Sequence, residues 1–174
     1  MNYHNITKTD MLNGEGIRVV LWVSGCSHAC KGCQNPQTWS ECGGIKFDES
    51  AKQEIFEELD KDYISGITFS GGDPLFVKNR DCVTALAKEI RQKYGHTKTI
   101  WSYTGYLYEE VKDLEIMEYL DVLIDGPFIL EQRDPQLHWV GSPNQRIIDV
   151  QKTRETGEIV LYKGQWEDII KRAK

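Results

Sequence analysis

Apolar, strand-like runs alternate with helix-like stretches along this chain, and each run ends in a chemically unusual segment. Ile17-Arg-Val-Val-Leu-Trp-Val23 is β-branched and aromatic and reads as a buried strand that stops at Ser24-Gly25. Asp48 can cap a helix over 49–59, with Ile55, Phe56 and Leu59 on one face and Glu54, Glu57 and Glu58 turned to water. Residues 64–69 form a second strand that runs into Ser70-Gly71-Gly72-Asp73-Pro74. The apolar positions Val83, Leu86, Ala87, Ile90 and Tyr94 follow the 3.6 period of a helix over 79–94, and Gly95 suits its C-cap. A strand over 99–103, a helix over 107–120 carried by Leu107, Val111, Leu114 and Met117, and a strand over 122–124 closed by Asp125-Gly126-Pro127 complete the alternation. Such an order predicts βαβ units, a parallel sheet and an α/β fold. All strands then end on one rim, where ligands of such sheets bind. The Cys26–Cys33 loop, Ser70–Pro74, Tyr103–Gly105 and Asp125–Pro127 each follow a strand and should converge there. Farther on, 146–150 and 158–162 read as a hairpin.

Composition narrows the function. The 174 residues suit one domain and can bury roughly 70% of the unfolded surface without disulfides. A net charge of −6 argues against a nucleic-acid partner. No apolar run approaches the ~20 residues of a membrane span, and the first twenty residues lack a signal-peptide pattern. The expected compartment is the cytoplasm, where clustered cysteines hold metals or do redox chemistry more often than they staple a fold.

Of five cysteines, three cluster as Cys26-Ser-His-Ala-Cys30-Lys-Gly-Cys33, a C-x3-C-x2-C spacing. Eight residues can wrap three sulfurs around one centre. Structural zinc takes four ligands, usually in two close pairs, and iron–sulfur cubanes usually take four cysteines. Three close cysteines therefore suggest a centre with one position left for substrate. The rival is a zinc knuckle completed by Cys42 or His28. Cys42 otherwise reads as a loop residue, and Cys82 as a buried helical thiol. Ser70-Gly71-Gly72-Asp73-Pro74 can bring backbone against a charged head group, or be a plain βα turn. Asp125 is either a cap or a ligand contact. Asn13-Gly14-Glu15-Gly16 precedes its strand and so is no dinucleotide fingerprint.

C-x3-C-x2-C after one strand, with Gly71-Gly72-Asp73-Pro74 after the next, resembles the radical S-adenosylmethionine enzymes. The blocks Asn13–Arg18, Ser24-Gly25-Cys26, Gly32–Asn35, Thr38-Trp39, Ser70–Leu75, Thr104–Tyr106, Asp125-Gly126 and Gly141-Ser142-x-Asn144-Gln145 resemble the activating proteins of anaerobic ribonucleotide reductase. The resemblance covers residues 1–150 and implies a partial (β/α) TIM-like barrel, with parallel strands and the active site at their C-terminal rim. Residues 151–174 form an extension that can hold a hairpin and a short helix; its charge is net +2. The resemblance implies that Cys26, Cys30 and Cys33 bind a [4Fe-4S] cluster whose fourth iron takes S-adenosylmethionine. Ser70, Gly71, Gly72, Asp73 and Pro74 would line the methionine end, Gly32 and Gln34 the adenine side, and Asp125 would touch the ligand from its strand end. It also implies reductive cleavage of S-adenosylmethionine and a glycyl radical on the anaerobic reductase large subunit. A flavodoxin- or ferredoxin-type donor would supply the electron. Trp139 and the 138–146 stretch are candidates for the partner contact. Alternatives are an activase of another glycyl-radical enzyme and a non-catalytic zinc-binding module.

Overall fold

The structure, a computed structural model, describes residues 1–164. Its core is a seven-stranded mixed sheet in the order β3-β1-β2-β4-β5-β6-β7. The strands are β1 (Asn2–Asp10), β2 (Ile17–Val23), β3 (Ile45–Lys46), β4 (Ile64–Gly71), β5 (Thr99–Tyr103), β6 (Val122–Asp125) and β7 (Arg146–Asp149). The helices are α1 (Glu49–Leu59), α2 (Arg80–Tyr94), α3 (Tyr108–Val111) and α4 (Val150–Thr156). β2, β4, β5 and β6 are parallel neighbours, as the alternation predicts. The sheet as a whole is not parallel: β1 runs antiparallel to β2, β3 to β1, and β7 to β6. The sheet is open, with β3 and β7 at its edges. No helix among the described residues is long and apolar enough to cross a membrane.

Side-chain alternation splits the sheet into two unlike faces. Val19, Leu21, Val23, Ile67, Phe69, Ile100 and Leu123 join Ile55, Leu59, Val83, Leu86 and Ile90 of α1 and α2 in the main core. The opposite face carries Arg18, Trp22, Thr68, Ser70, Trp101 and Tyr103. Its smaller cluster packs Trp101, Val122 and Ile124 against Tyr103, Trp139, Ile147 and Tyr162. Arg18 is fully buried in β2, its guanidinium donating to Thr68 Oγ1, Thr99 Oγ1 and the Ile67 and Thr99 carbonyls. It also lies 5.0 Å from the Trp101 ring. Burial lowers its pKa to about 10, and the polar cradle keeps the charge solvated.

Several local expectations change. β1 carries only two buried apolar side chains, Tyr3 and Ile6, so its pattern is too polar to read as a strand. Asp48 does cap α1, accepting from Ala51 N at 3.0 Å. Glu58 is buried rather than turned to water, because Lys61 Nζ (2.6 Å) and Lys8 Nζ (3.8 Å) neutralise it. The helix over 107–120 is broken into α3 and a 3-10 turn at Glu115–Glu118. Leu107 is exposed and Leu114 half-buried, while Tyr108, Val111, Ile116, Met117 and Leu120 point inward, which is not one helical stripe. The 146–150/158–162 pairing forms only in part: β7 pairs with β6, and the second segment joins β7 by one antiparallel bridge, Ile148 to Leu161, with Asp149 N donating to Val160 O and Tyr162 N to Ile147 O. Between them lies α4, capped by Asp149 accepting from Lys152 N at 3.1 Å and ended by Gly157. Residues 165–174 of the C-terminal extension lie outside the described residues.

Candidate functional site

The four post-strand segments do meet. A cleft of about 620 Å³ opens on the face not covered by α1 and α2, and each segment contributes to its wall. Cys26, Cys30, Cys33 and Gln34 come from the loop after β2, and Ser70, Gly71, Gly72 and Asp73 from the end of β4. Tyr103, Thr104 and Gly105 follow β5, and Gly126 follows β6. In-register parallel pairing brings them together, with Val23 opposite Gly71 and Tyr103 opposite Ile124.

The base of the cysteine loop is strapped backbone to backbone. Gly25 N donates to Thr38 O and Cys26 N to Trp39 O, at 2.8 and 3.1 Å. From the other side, Gly72 N donates to Val23 O and Asp73 N to Gly25 O, both at 2.8 Å. Gly72 is glycine for this reason: a Cβ there would stand 2.5 Å from Gly25 O and 2.9 Å from Thr38 O. The close approach its sequence suggested is thus to the chain itself. Asn79, just ahead of α2 and buried, adds a clamp by donating from Nδ2 to Ser24 O and Asp73 O, each at 2.9 Å.

Cys26, Cys30 and Cys33 are partly exposed, and all five cysteines are unpaired. Burial pushes the Cys26 thiol up, while backbone N–H groups of His28 and Ala29 act in the opposite direction. Asn35 N donates to Cys33 Sγ at 3.3 Å. Among the described residues no three His, Cys, Asp or Glu side chains converge on a point fit for a single ion. The three thiols are accessible and line one cleft, a donor set that would suit an iron–sulfur cluster. Cys42 is exposed in a loop, Cys82 is half-buried on α2 rather than fully buried, and neither lines the cleft.

Asp73 is almost fully buried, and its oxygens are engaged within the chain. They accept from Leu75 N (2.8 Å), from Thr104 Oγ1 (3.0 Å to either oxygen) and from Gly105 N (3.0 Å). His28 Nε2 lies 2.9 Å from Oδ2, off the line of an aligned hydrogen bond, and the carboxylate pushes the imidazole pKa up. Asp125 is fully buried too. It accepts from Tyr108 N at 2.7 Å and from Arg146 Nε and Nη2 at 3.1 and 2.5 Å, and Arg146 also pairs with Glu109. Of the two readings left open for Asp125, the geometry has it capping and pairing; Gly126, not Asp125, lines the cleft. Pro74 and Gly32 also lie off the lining, Gly32 abutting Leu130.

No sequence pattern marks Arg133, the one lysine or arginine among the residues lining the cleft. It sits in an irregular stretch with no periodicity. Flat side chains come from Trp22, Tyr103, Phe128 and Trp139. Trp139 holds a left-handed φ of 62°, its carbonyl accepts from Tyr103 Oη at 2.8 Å, and its ring meets Trp101 edge-on at 5.0 Å.

An open α/β sheet that gathers three accessible thiols from one strand-end loop into a cleft is an arrangement that can carry a sulfur-bound metal centre. Residues 12–148 match the family model described as a 4Fe-4S single cluster domain. The chain is 42% identical over 147 residues to the anaerobic ribonucleoside-triphosphate reductase-activating protein of Enterobacteria phage T4, covering 84% of this chain and 93% of the relative. To the protein of the same name from Haemophilus influenzae it is 44% identical over 151 residues, covering 84% and 97%. To that of Escherichia coli K12 it is 39% identical over 149 residues, covering 83% and 96%. The chain belongs to the family of anaerobic ribonucleoside-triphosphate reductase-activating proteins.

Proposed function

We propose that this chain reductively cleaves S-adenosylmethionine at a [4Fe-4S] cluster and generates a glycyl radical on anaerobic ribonucleotide reductase. One observation carries the reading: the three thiols of C-x3-C-x2-C face the same cleft as the Ser70–Asp73 loop. Cys26, Cys30 and Cys33 hold the cluster, and a site with three protein thiolates leaves one iron for the amino and carboxylate groups of S-adenosylmethionine. When bound and reduced, the cluster supplies the electron that breaks the sulfonium S–C5′ bond. The chain's own residues bind and orient. Ser70, Gly71 and Gly72 present backbone to the methionine end, Gln34 flanks the adenine side with Gly32 behind it, and Arg133 meets the carboxylate. Asp73, already paired within the chain, shapes the wall, Asp125 sits behind Gly126 with its oxygens held by Tyr108 and Arg146, and Pro74 fixes the turn between Asp73 and α2.

The open sheet with its helical layer on one face is a partial TIM-like barrel of the radical S-adenosylmethionine type, spanning residues 1–150, with 151–174 as an extension. The uncovered face admits a glycine-bearing loop of the reductase large subunit past Trp139. The electron donor is of the flavodoxin or ferredoxin type, and the compartment is the cytoplasm. No side-chain base is needed for hydrogen-atom transfer. Anaerobic reconstitution with iron and sulfide tests this. It should give a brown protein whose reduced EPR signal changes on adding S-adenosylmethionine. Colourless protein holding one stoichiometric zinc would contradict it.

A further inference from the structure

The cysteine loop contains no helix or strand between Cys26 and Cys33. Its second half is held by Lys31 Nζ to Glu131 Oε1 at 3.1 Å and by Gly32 against Leu130. Its first half rests on His28. That side chain reaches 45 residues along the chain to Asp73, at 2.9 Å. Its ring meets Tyr106 edge-on at 4.5 Å, and it fills the space over Gly105, where a Cβ would come within 2.4 Å of the ring. The next residue, Ala29, has a φ of 46°, a conformation that non-glycine residues seldom hold without outside support.

We infer that His28 is a positioning residue that ties the cysteine loop to Asp73. The tie fixes the gap between the cysteine loop and the Ser70–Asp73 loop. Asp73 is the joint: it also holds Thr104 and Gly105, so three walls of the cleft share one carboxylate. Resting on the proposed function, the consequence is that His28 governs how S-adenosylmethionine seats while ligating no metal. It is thereby distinct from the zinc reading, in which His28 is a ligand.

The test uses the full chain, reconstituted anaerobically, as wild type and as His28→Gln, His28→Phe and His28→Asn. Gln keeps a donor at the Nε2 position. Phe keeps the ring on Tyr106 without the donor, and Asn is polar but too short to reach Asp73. The readouts are melting temperature without the cluster, iron per chain, and the S-adenosylmethionine concentration giving half of the EPR change. The expected result is equal iron in all four. Phe and Asn should need at least tenfold more S-adenosylmethionine, and Gln should stay within threefold of wild type. Phe and Asn chains that melt normally yet fail to take up iron, while Gln succeeds, support the same tie acting on the loop alone. Phe and Asn titrating as wild type, or Gln falling as far as they do, overturns the inference. A wild type whose signal ignores S-adenosylmethionine overturns the proposed function instead.

Discussion

Replacing Gly72 by alanine puts a methyl group against backbone that has nowhere to go. The added Cβ stands 2.5 Å from Gly25 O and 2.9 Å from Thr38 O, whereas carbon–oxygen contacts are comfortable near ~3.3 Å. The straps at the base of the cysteine loop must therefore part by roughly half an ångström or more. Doing so stretches two 2.8 Å bonds, Gly25 N to Thr38 O and Asp73 N to Gly25 O. Overpacking of this kind costs about 1–3 kcal/mol, and one weakened buried hydrogen bond about 1 kcal/mol more. A loss of about 3 kcal/mol lowers the melting temperature of a domain this size by about 6–12 °C. Gly157→Ala is the comparison: it has a φ of 75° and nothing within 4 Å, so it carries only the left-handed backbone penalty of about 1–2 kcal/mol. Thermal melts of the cluster-free chain, paired with iron per chain after reconstitution, separate the two. Gly72→Ala should lose both stability and iron; Gly157→Ala should lose some stability and load iron normally. A Gly72→Ala chain that melts within about 2 °C of wild type and takes up full iron would refute the backbone-strap reasoning.

Other outcomes follow from the same geometry. Cys33→Ala should abolish 5′-deoxyadenosine formation from S-adenosylmethionine while Cys82→Ala, on α2 and off the cleft, leaves it largely intact; equal loss in both would misplace the cluster. Arg133→Ala should raise the dissociation constant for S-adenosylmethionine about tenfold, or ~1.4 kcal/mol, as read by titration of the reduced signal. Arg146→Ala leaves Asp125 buried without its ion-pair partner and should cost about 3 kcal/mol in urea unfolding. Arg146 also holds the Glu109 carboxyl below its ordinary pKa through a hydrogen bond. A depressed carboxylate stabilises the fold above its unfolded pKa and loses that contribution as pH falls through its folded one. Glu109→Gln should therefore flatten the acid limb of the stability curve, measured by melts between pH 3 and 6.

What was legible in the sequence was local. β2, β4, β5 and β6 are dense in β-branched and aromatic residues, and α1 and α2 keep their apolar positions on one face, so pattern alone placed them. β1 escaped because an antiparallel strand near a sheet edge needs little apolar surface, and here Tyr3 and Ile6 suffice. The helix over 107–120 was overextended because Leu107 and Leu114 fit a 3.6 spacing that tertiary burial does not follow. α4 had its signals, Asp149 at the cap and Gly157 at the end, but a β-rich reading of 146–162 hid them. At the cleft, the cysteine spacing and the Gly71-Gly72-Asp73 turn were visible because each is contiguous. Arg133, Asn79 and the contact of His28 with Asp73 were not, since they depend on chain segments meeting across the sheet. Asp125 shows the same limit: only the fold reveals that Arg146 and Tyr108 occupy its oxygens.

The central claim is tested most directly by incubating the reconstituted chain anaerobically with anaerobic ribonucleotide reductase, S-adenosylmethionine and a reductant, then recording the EPR spectrum of the reductase. The account predicts a glycyl-radical doublet that appears only with all components and vanishes with Cys33→Ala. Cleavage of S-adenosylmethionine without any doublet, on a reductase shown to be competent with an activating protein from one of the relatives, would contradict it.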